Sequence, residues 1–131
     1  MNGYEQKDHG LHVKRYVQTM DLKDDPALIS EYRRRHSEGQ VWPEIISGIR
    51  QVGILEMEVY LLDTRLVMIV DAPADFNWPS AMARLATLPR QQEWEEYMAL
   101  FQQCAVQATS DEKWHMMERI FHLYKPTKRT R

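Results

Sequence analysis

Two apolar runs stand back to back near the middle of the chain, ILEMEVYLLD at 54–63 and LVMIVDA at 66–72, with only Thr64 and Arg65 between them. A link of two residues cannot hold the crossover that a parallel pair requires, so the runs are expected to form an antiparallel hairpin. The link has no Asn-Gly or Asp-Gly, so turn chemistry does not fix the register. Whatever else the chain does, it is built around an antiparallel sheet.

The flanking segments supply the rest. HVKRYVQTM at 12–20 sets Val13, Arg15, Val17 and Thr19 on one side and His12, Lys14, Tyr16, Gln18 and Met20 on the other, a strand pattern rich in β-branched residues. Asp24 and Asp25 then precede Pro26, a cap followed by a proline suited to a first helical position, and the helix runs to about His36. Gly39 breaks it, and Pro43 opens a second helix with Trp42, Ile45, Ile46 and Ile49 as core stripe, closed by Gly53. After a loop over 72–77, Pro79 starts a helical stretch with Met82 and Leu85 inward, and Pro89 interrupts it. The stretch 90–103 places Trp94, Tyr97, Met98 and Phe101 on one helix face. Thr109 to Lys113 reads as a polar linker, Trp114 to Tyr124 as a last strand, and KPTKRTR as a basic tail.

The order strand, helices, strand, strand, helices, strand is the β-α-β-β-α-β unit of the ferredoxin-like fold, an α+β architecture with one antiparallel four-stranded sheet. Helices cover one sheet face and the other needs a cover of its own. In a chain of 131 residues the usual cover is a second copy, which predicts a homodimer of the dimeric α/β-barrel type. Residues 12–126 are expected to form the single domain, with 1–11 and 127–131 as flexible ends.

Composition bounds the partners. A net charge of −2 gives no global attraction to nucleic acid or membrane. No apolar run reaches spanning length, MNGYEQKDHG lacks the apolar core of a secretion signal, and the single Cys104 excludes an internal disulfide. These features predict a soluble cytoplasmic protein. Four tryptophans and six tyrosines exceed what a minimal core requires, and such rings stack on sugars or fill dimer seams.

Few chemistries survive inspection. Histidines stand at 9, 12, 36, 115 and 122, and the last two, an odd number apart on one expected strand, face opposite ways, so no metal site is expected. Cys104 has no histidine near it in sequence and reads as a small core residue. There is no G-x-S-x-G, phosphate loop or dinucleotide fingerprint. Proton transfer is left. In EYRRRHSEGQVWPE, Tyr32 and His36 are four apart, so phenol and imidazole share one helix face with Leu28 a turn earlier, and Arg33, Arg34 and Arg35 lie mostly on other faces. Spacing alone leaves two readings for each residue. His36 also suits a solvated helix end favoured by the helix dipole, Tyr32 a core aromatic, and Trp94 plain packing.

EYRRRHSEGQVWPEI resembles the first-helix motif of the L-rhamnose mutarotase family, E-Y-x-x-x-H followed by W-P-E. VYLLD, QEWEEYM and MERIFHL resemble that family's hairpin strand, late-helix tryptophan motif and closing strand, in the right order from about Lys14 to Pro126. The resemblance implies a homodimeric ferredoxin-like enzyme that interconverts the α and β anomers of L-rhamnose without a cofactor. It implies His36 as proton donor and Tyr32 and Trp94 as sugar-binding residues. Glu95 stands where many relatives carry a second tryptophan; it is expected either to accept a sugar hydroxyl or to face solvent. Glu56 and Met57 replace the Asn-Tyr that relatives often carry before Y-L-D, and Glu38, Gly39 and Gln40 lengthen the turn after His36. These departures touch the pocket lining rather than proton transfer, so L-fucose is the alternative sugar. Glu56, Glu58 and Glu95 near the pocket favour a polyhydroxylated ligand over the flat polycycle of the cofactor-free monooxygenases that share this scaffold. A silent sugar-binding module is the third reading.

Overall fold

The computed structural model describes residues 2–124; the expected basic tail lies outside them. The elements are β1 (Val13–Asp21), α1 (Pro26–Arg35), α2 (Pro43–Gln51), β2 (Glu56–Leu62), β3 (Arg65–Pro73), α3 (Trp78–Leu85), α4 (Gln91–Ala99), α5 (Ser110–Lys113) and β4 (His115–Met116). The strands form one antiparallel sheet in the order β2-β3-β1-β4, the ferredoxin-like arrangement expected from the element order.

Local chemistry explains most boundaries. The Asp25 carboxylate accepts the N–H groups of Ala27 and Leu28 at 2.9 and 3.3 Å, which caps α1 beside Pro26. After α2, Gly53 takes φ +102°, a conformation that favours glycine, and turns the chain toward β2. The hairpin closes over Asp63 and Thr64, one residue earlier than expected, because Leu62 pairs with Arg65. Asp63 adopts φ 55°, a left-handed conformation that aspartate tolerates better than most residues.

The second half departs further from expectation. Helix α4 ends at Ala99 instead of about 103 because the following residues bond to the end of β1. Lys23 N–H donates to the Phe101 carbonyl and Gln103 N–H to that of Asp21, both at 2.9 Å, and Leu22 bridges Gln102. The expected linker is helical: α5 carries a capping box in which the Thr109 hydroxyl accepts the Glu112 N–H and the Glu112 carboxylate accepts the Thr109 N–H. The last strand is far shorter than the expected 114–124. Only His115 and Met116 pair with β1, opposite Thr19 and Gln18. Beyond them Ile120 and Phe121 are 89% and 75% exposed, so that run meets no surface among the described residues that could hold it in the sheet.

The helices cover one sheet face. Met20 and Leu22 of the β1 segment, Met68 and Val70 of β3, Ile45 of α2, Leu85 of α3 and Met98 of α4 are buried between the two layers. Ile46, expected in the α2 core stripe, is instead 37% exposed, beside a cleft. On the far sheet face Arg15 and Asp71 form a two-pronged ion pair at 2.8 and 3.0 Å.

Candidate active site

Between the helices and β2 lies a cleft of about 660 Å³, walled in part by Tyr32, His36, Met57, Trp94 and Glu95. All four residues singled out in the sequence, His36, Tyr32, Trp94 and Glu95, thus border one space. Glu56 and Met57 border it too, whereas Glu58, expected near it, bonds to Gln6 of the N-terminal segment.

His36 caps the C-terminal end of α1, and its ring sits 4.2 Å from that of Tyr32 one turn back. Its Nδ1 lies 2.8 Å from the Tyr32 carbonyl oxygen. A carbonyl can only accept, so Nδ1 carries the hydrogen and Nε2 is left for other partners. Burial holds the imidazole pKa below its ordinary value, with the carbonyl contact pulling the other way. The neutral form with a bare Nε2 is therefore the resting state at neutral pH. The solvated helix-end alternative does not apply.

Trp94 is buried, with its ring edge-on to His36 at 5.8 Å and to Trp42 at 5.0 Å. Trp42 stacks on Tyr97 at 5.8 Å and lies under the Arg90 guanidinium at 4.0 Å. This aromatic cluster anchors α4 to the α1–α2 turn and fixes the wall that His36 stands on. The packing reading of Trp94 and its place on the cleft wall are both met.

Glu95 does not face solvent. It is 7% exposed and belongs to a buried polar network. The Lys113 ammonium, with its side chain wholly buried, donates to the Glu95 carboxylate at 2.8 Å, the Glu95 carbonyl at 2.6 Å and the Gln102 side-chain oxygen at 2.9 Å. The Gln91 amide donates to the second Glu95 oxygen, and the Gln102 amide to the Tyr32 hydroxyl at 3.2 Å. Burial pushes the Tyr32 phenol pKa well above its usual range, so the hydroxyl keeps its proton. Gln91, Gln102 and Lys113 escaped the sequence reading. The signal was present: Thr109 and Glu112 spell the capping box that starts α5 and swings Lys113 inward.

Elsewhere, Cys104 is half-buried, with burial raising its thiol pKa. Among the described residues no three His, Cys, Asp or Glu side chains gather as a metal site would require, and no helix is long and apolar enough to cross a membrane.

Residues 15–123 match the profile of a family described as L-rhamnose mutarotase. The chain belongs to that family. Membership makes it a carbohydrate isomerase of the mutarotase type. This mutarotase is 38% identical over 113 residues to an L-fucose mutarotase from Xanthomonas campestris pv. campestris, covering 86% of this chain and 90% of that one. It is 32% identical over 100 residues to an L-rhamnose mutarotase from Burkholderia cenocepacia, covering 75% of this chain and 88% of that one. The crystal structure of an L-rhamnose mutarotase from Formosa agariphila superposes with a TM-score of 0.62 at 19% identity, over 85% of this chain and 99% of that one, which establishes the shared fold.

Proposed function

We propose that this mutarotase interconverts the α and β anomers of a 6-deoxyhexose, L-fucose or L-rhamnose, by proton transfer through His36 and without a cofactor. The observation that carries the reading is the pinned imidazole: Nδ1–H is committed to the Tyr32 carbonyl, so all proton traffic falls to Nε2.

Ring opening needs the anomeric hydroxyl to lose a proton and the ring oxygen to gain one. Both oxygens are bonded to the same carbon, so one nitrogen can serve both. Neutral Nε2 takes the proton from the anomeric hydroxyl while the bond between the anomeric carbon and the ring oxygen breaks. The imidazolium so formed delivers that proton to the departing oxygen. The open aldehyde turns about its bond to the neighbouring carbon, and the reverse steps close the ring on the other carbonyl face. Acid–base help of this kind contributes on the order of a hundred- to ten-thousand-fold. Tyr32 holds the sugar in line, Trp94 packs against its apolar face, which the 6-methyl enlarges, and Glu95 accepts a hydroxyl.

The buried Glu95–Lys113 pair supports a polyhydroxylated ligand over a flat apolar one. Similarity to the Xanthomonas L-fucose mutarotase spans more of this chain than similarity to the Burkholderia L-rhamnose mutarotase, so L-fucose is the first sugar to try. We also propose that the unit acting on sugar is residues 12–126, that it works as a two-fold homodimer, and that it resides in the cytoplasm, where its single free cysteine is at ease.

Saturation-transfer NMR on a panel of aldoses tests the activity. Accelerated exchange between the anomers of L-fucose or L-rhamnose, abolished in His36→Asn, is the expected result. Sugar-induced stabilisation without faster exchange would instead mark a binding module.

A further inference from the structure

We propose that Gln102, gripped by Lys113, is a positioning residue that keeps the Tyr32 hydroxyl turned outward as a hydrogen-bond donor to the sugar. The proposal rests on the mutarotase reading of the cleft.

Lys113, Gln102 and Tyr32 form a chain of bonds in which each polarity is forced by the one before. Lys113 has three N–H groups and no acceptor. Two of them go to the carbonyl and carboxylate of Glu95 and the third to Gln102. Because an ammonium can only donate, the Gln102 oxygen must be the end that faces Lys113. Its NH₂ end must then face Tyr32, and it lies 3.2 Å from the phenol oxygen. A donor pointed at that oxygen occupies one of its lone pairs, so the phenol hydrogen cannot point back toward Gln102. Tyr32 borders the cleft, which leaves the hydrogen for an oxygen of the bound sugar. Without Lys113 the Gln102 amide could rotate and offer its oxygen instead, and the phenol would spend its hydrogen inside the protein.

The arrangement is built rather than incidental. Gln102 is 2% exposed and Lys113 is 3% exposed, in a region where an unmade polar contact is costly. Three separate elements supply its parts: α1 gives Tyr32, α4 gives Glu95, and α5 gives Lys113, while the bridge between Leu22 and Gln102 ties the relay to the end of β1.

A double-mutant cycle decides the matter. Gln102→Glu leaves an oxygen for Lys113 but replaces the donor facing Tyr32 with an acceptor, so the phenol turns inward. With L-fucose and L-rhamnose in saturation-transfer NMR, Gln102→Glu should raise KM about tenfold, as should Tyr32→Phe, with kcat changed less. In the Tyr32→Phe background the Gln102→Glu change should add less than about twofold, because the hydroxyl it redirects is gone. If Gln102→Glu does not fold, Gln102→Met removes the donor at similar length and enters the same cycle. An active wild type in which the two effects multiply, or in which neither Gln102 variant alters KM, would overturn the positioning role while leaving the mutarotase reading intact. A wild type that leaves both sugars at their spontaneous exchange rates would overturn that reading, and this proposal with it.

Discussion

The imidazole of His36 is constrained on one nitrogen and free on the other, and that asymmetry sets what each substitution should do. His36→Asn removes the proton carrier at the helix end, so kcat should fall by about 10²- to 10⁴-fold with little change in thermal midpoint, checked by saturation transfer and calorimetry. Because burial depresses the imidazole pKa, Nε2 stays bare until the pH falls below the ordinary histidine value of 6.5. The acid limb of kcat/KM should therefore have its midpoint under 6.5, and the wild type should keep full activity at pH 7. A midpoint above that value would mean that the protonated form is the one favoured in the fold. Trp94→Ala should weaken sugar binding, but the ring is also core, so a loss of roughly 3–5 kcal/mol in stability should accompany it. At this scale the sequence was informative wherever two residues share a helix turn: Tyr32 and His36 meet because they are four apart. Gln102 and Tyr32 are far apart in the chain, and no local pattern announces their bond.

Helix α5 is only four residues long, yet it carries the cation that neutralises the cleft wall. Removing one member of a buried pair leaves the other charge stranded, so Lys113→Met should cost about 3–5 kcal/mol in chemical denaturation. Lys113→Met combined with Glu95→Gln removes both charges and should recover most of that loss. Thr109→Ala, which breaks the capping box, should cost about 1 kcal/mol. The composition of residues 109–113 reads as linker because it is short and polar, and periodicity has nothing to act on in one helical turn. The longer elements were legible for the opposite reason. Helix α1 announces itself through Asp25 and Pro26, and the hairpin through two apolar runs with almost nothing between them. Where α4 ends was not legible, since it is set by bonds to Asp21 and Lys23 at the end of β1.

As a whole, the chain displays the expected sheet order, because each strand and helix carries its own local signal and short connections leave few topologies. The short β4 is the exception: pairing depends on what lies alongside, and the apolar residues of 117–124 look alike whether covered or bare. On the sheet face away from the helices, Val17 and Ile69 stand opposite each other on β1 and β3. If a second copy covers this face, sedimentation should give the mass of two chains, and Ile69→Glu should reduce it to one. The locked Lys113 also bears on how such an enzyme can be retargeted. With every N–H of that ammonium already taken, the α4–α5 floor has no slack in which a new hydroxyl pattern can be accommodated. Ile46, partly exposed on the rim, and Met57, whose unbranched side chain repacks readily, border the cleft outside that network and have that slack. Libraries built at those positions should shift preference among epimers at little cost in folding, whereas randomising 91, 95, 102 and 113 should mostly yield protein that does not fold.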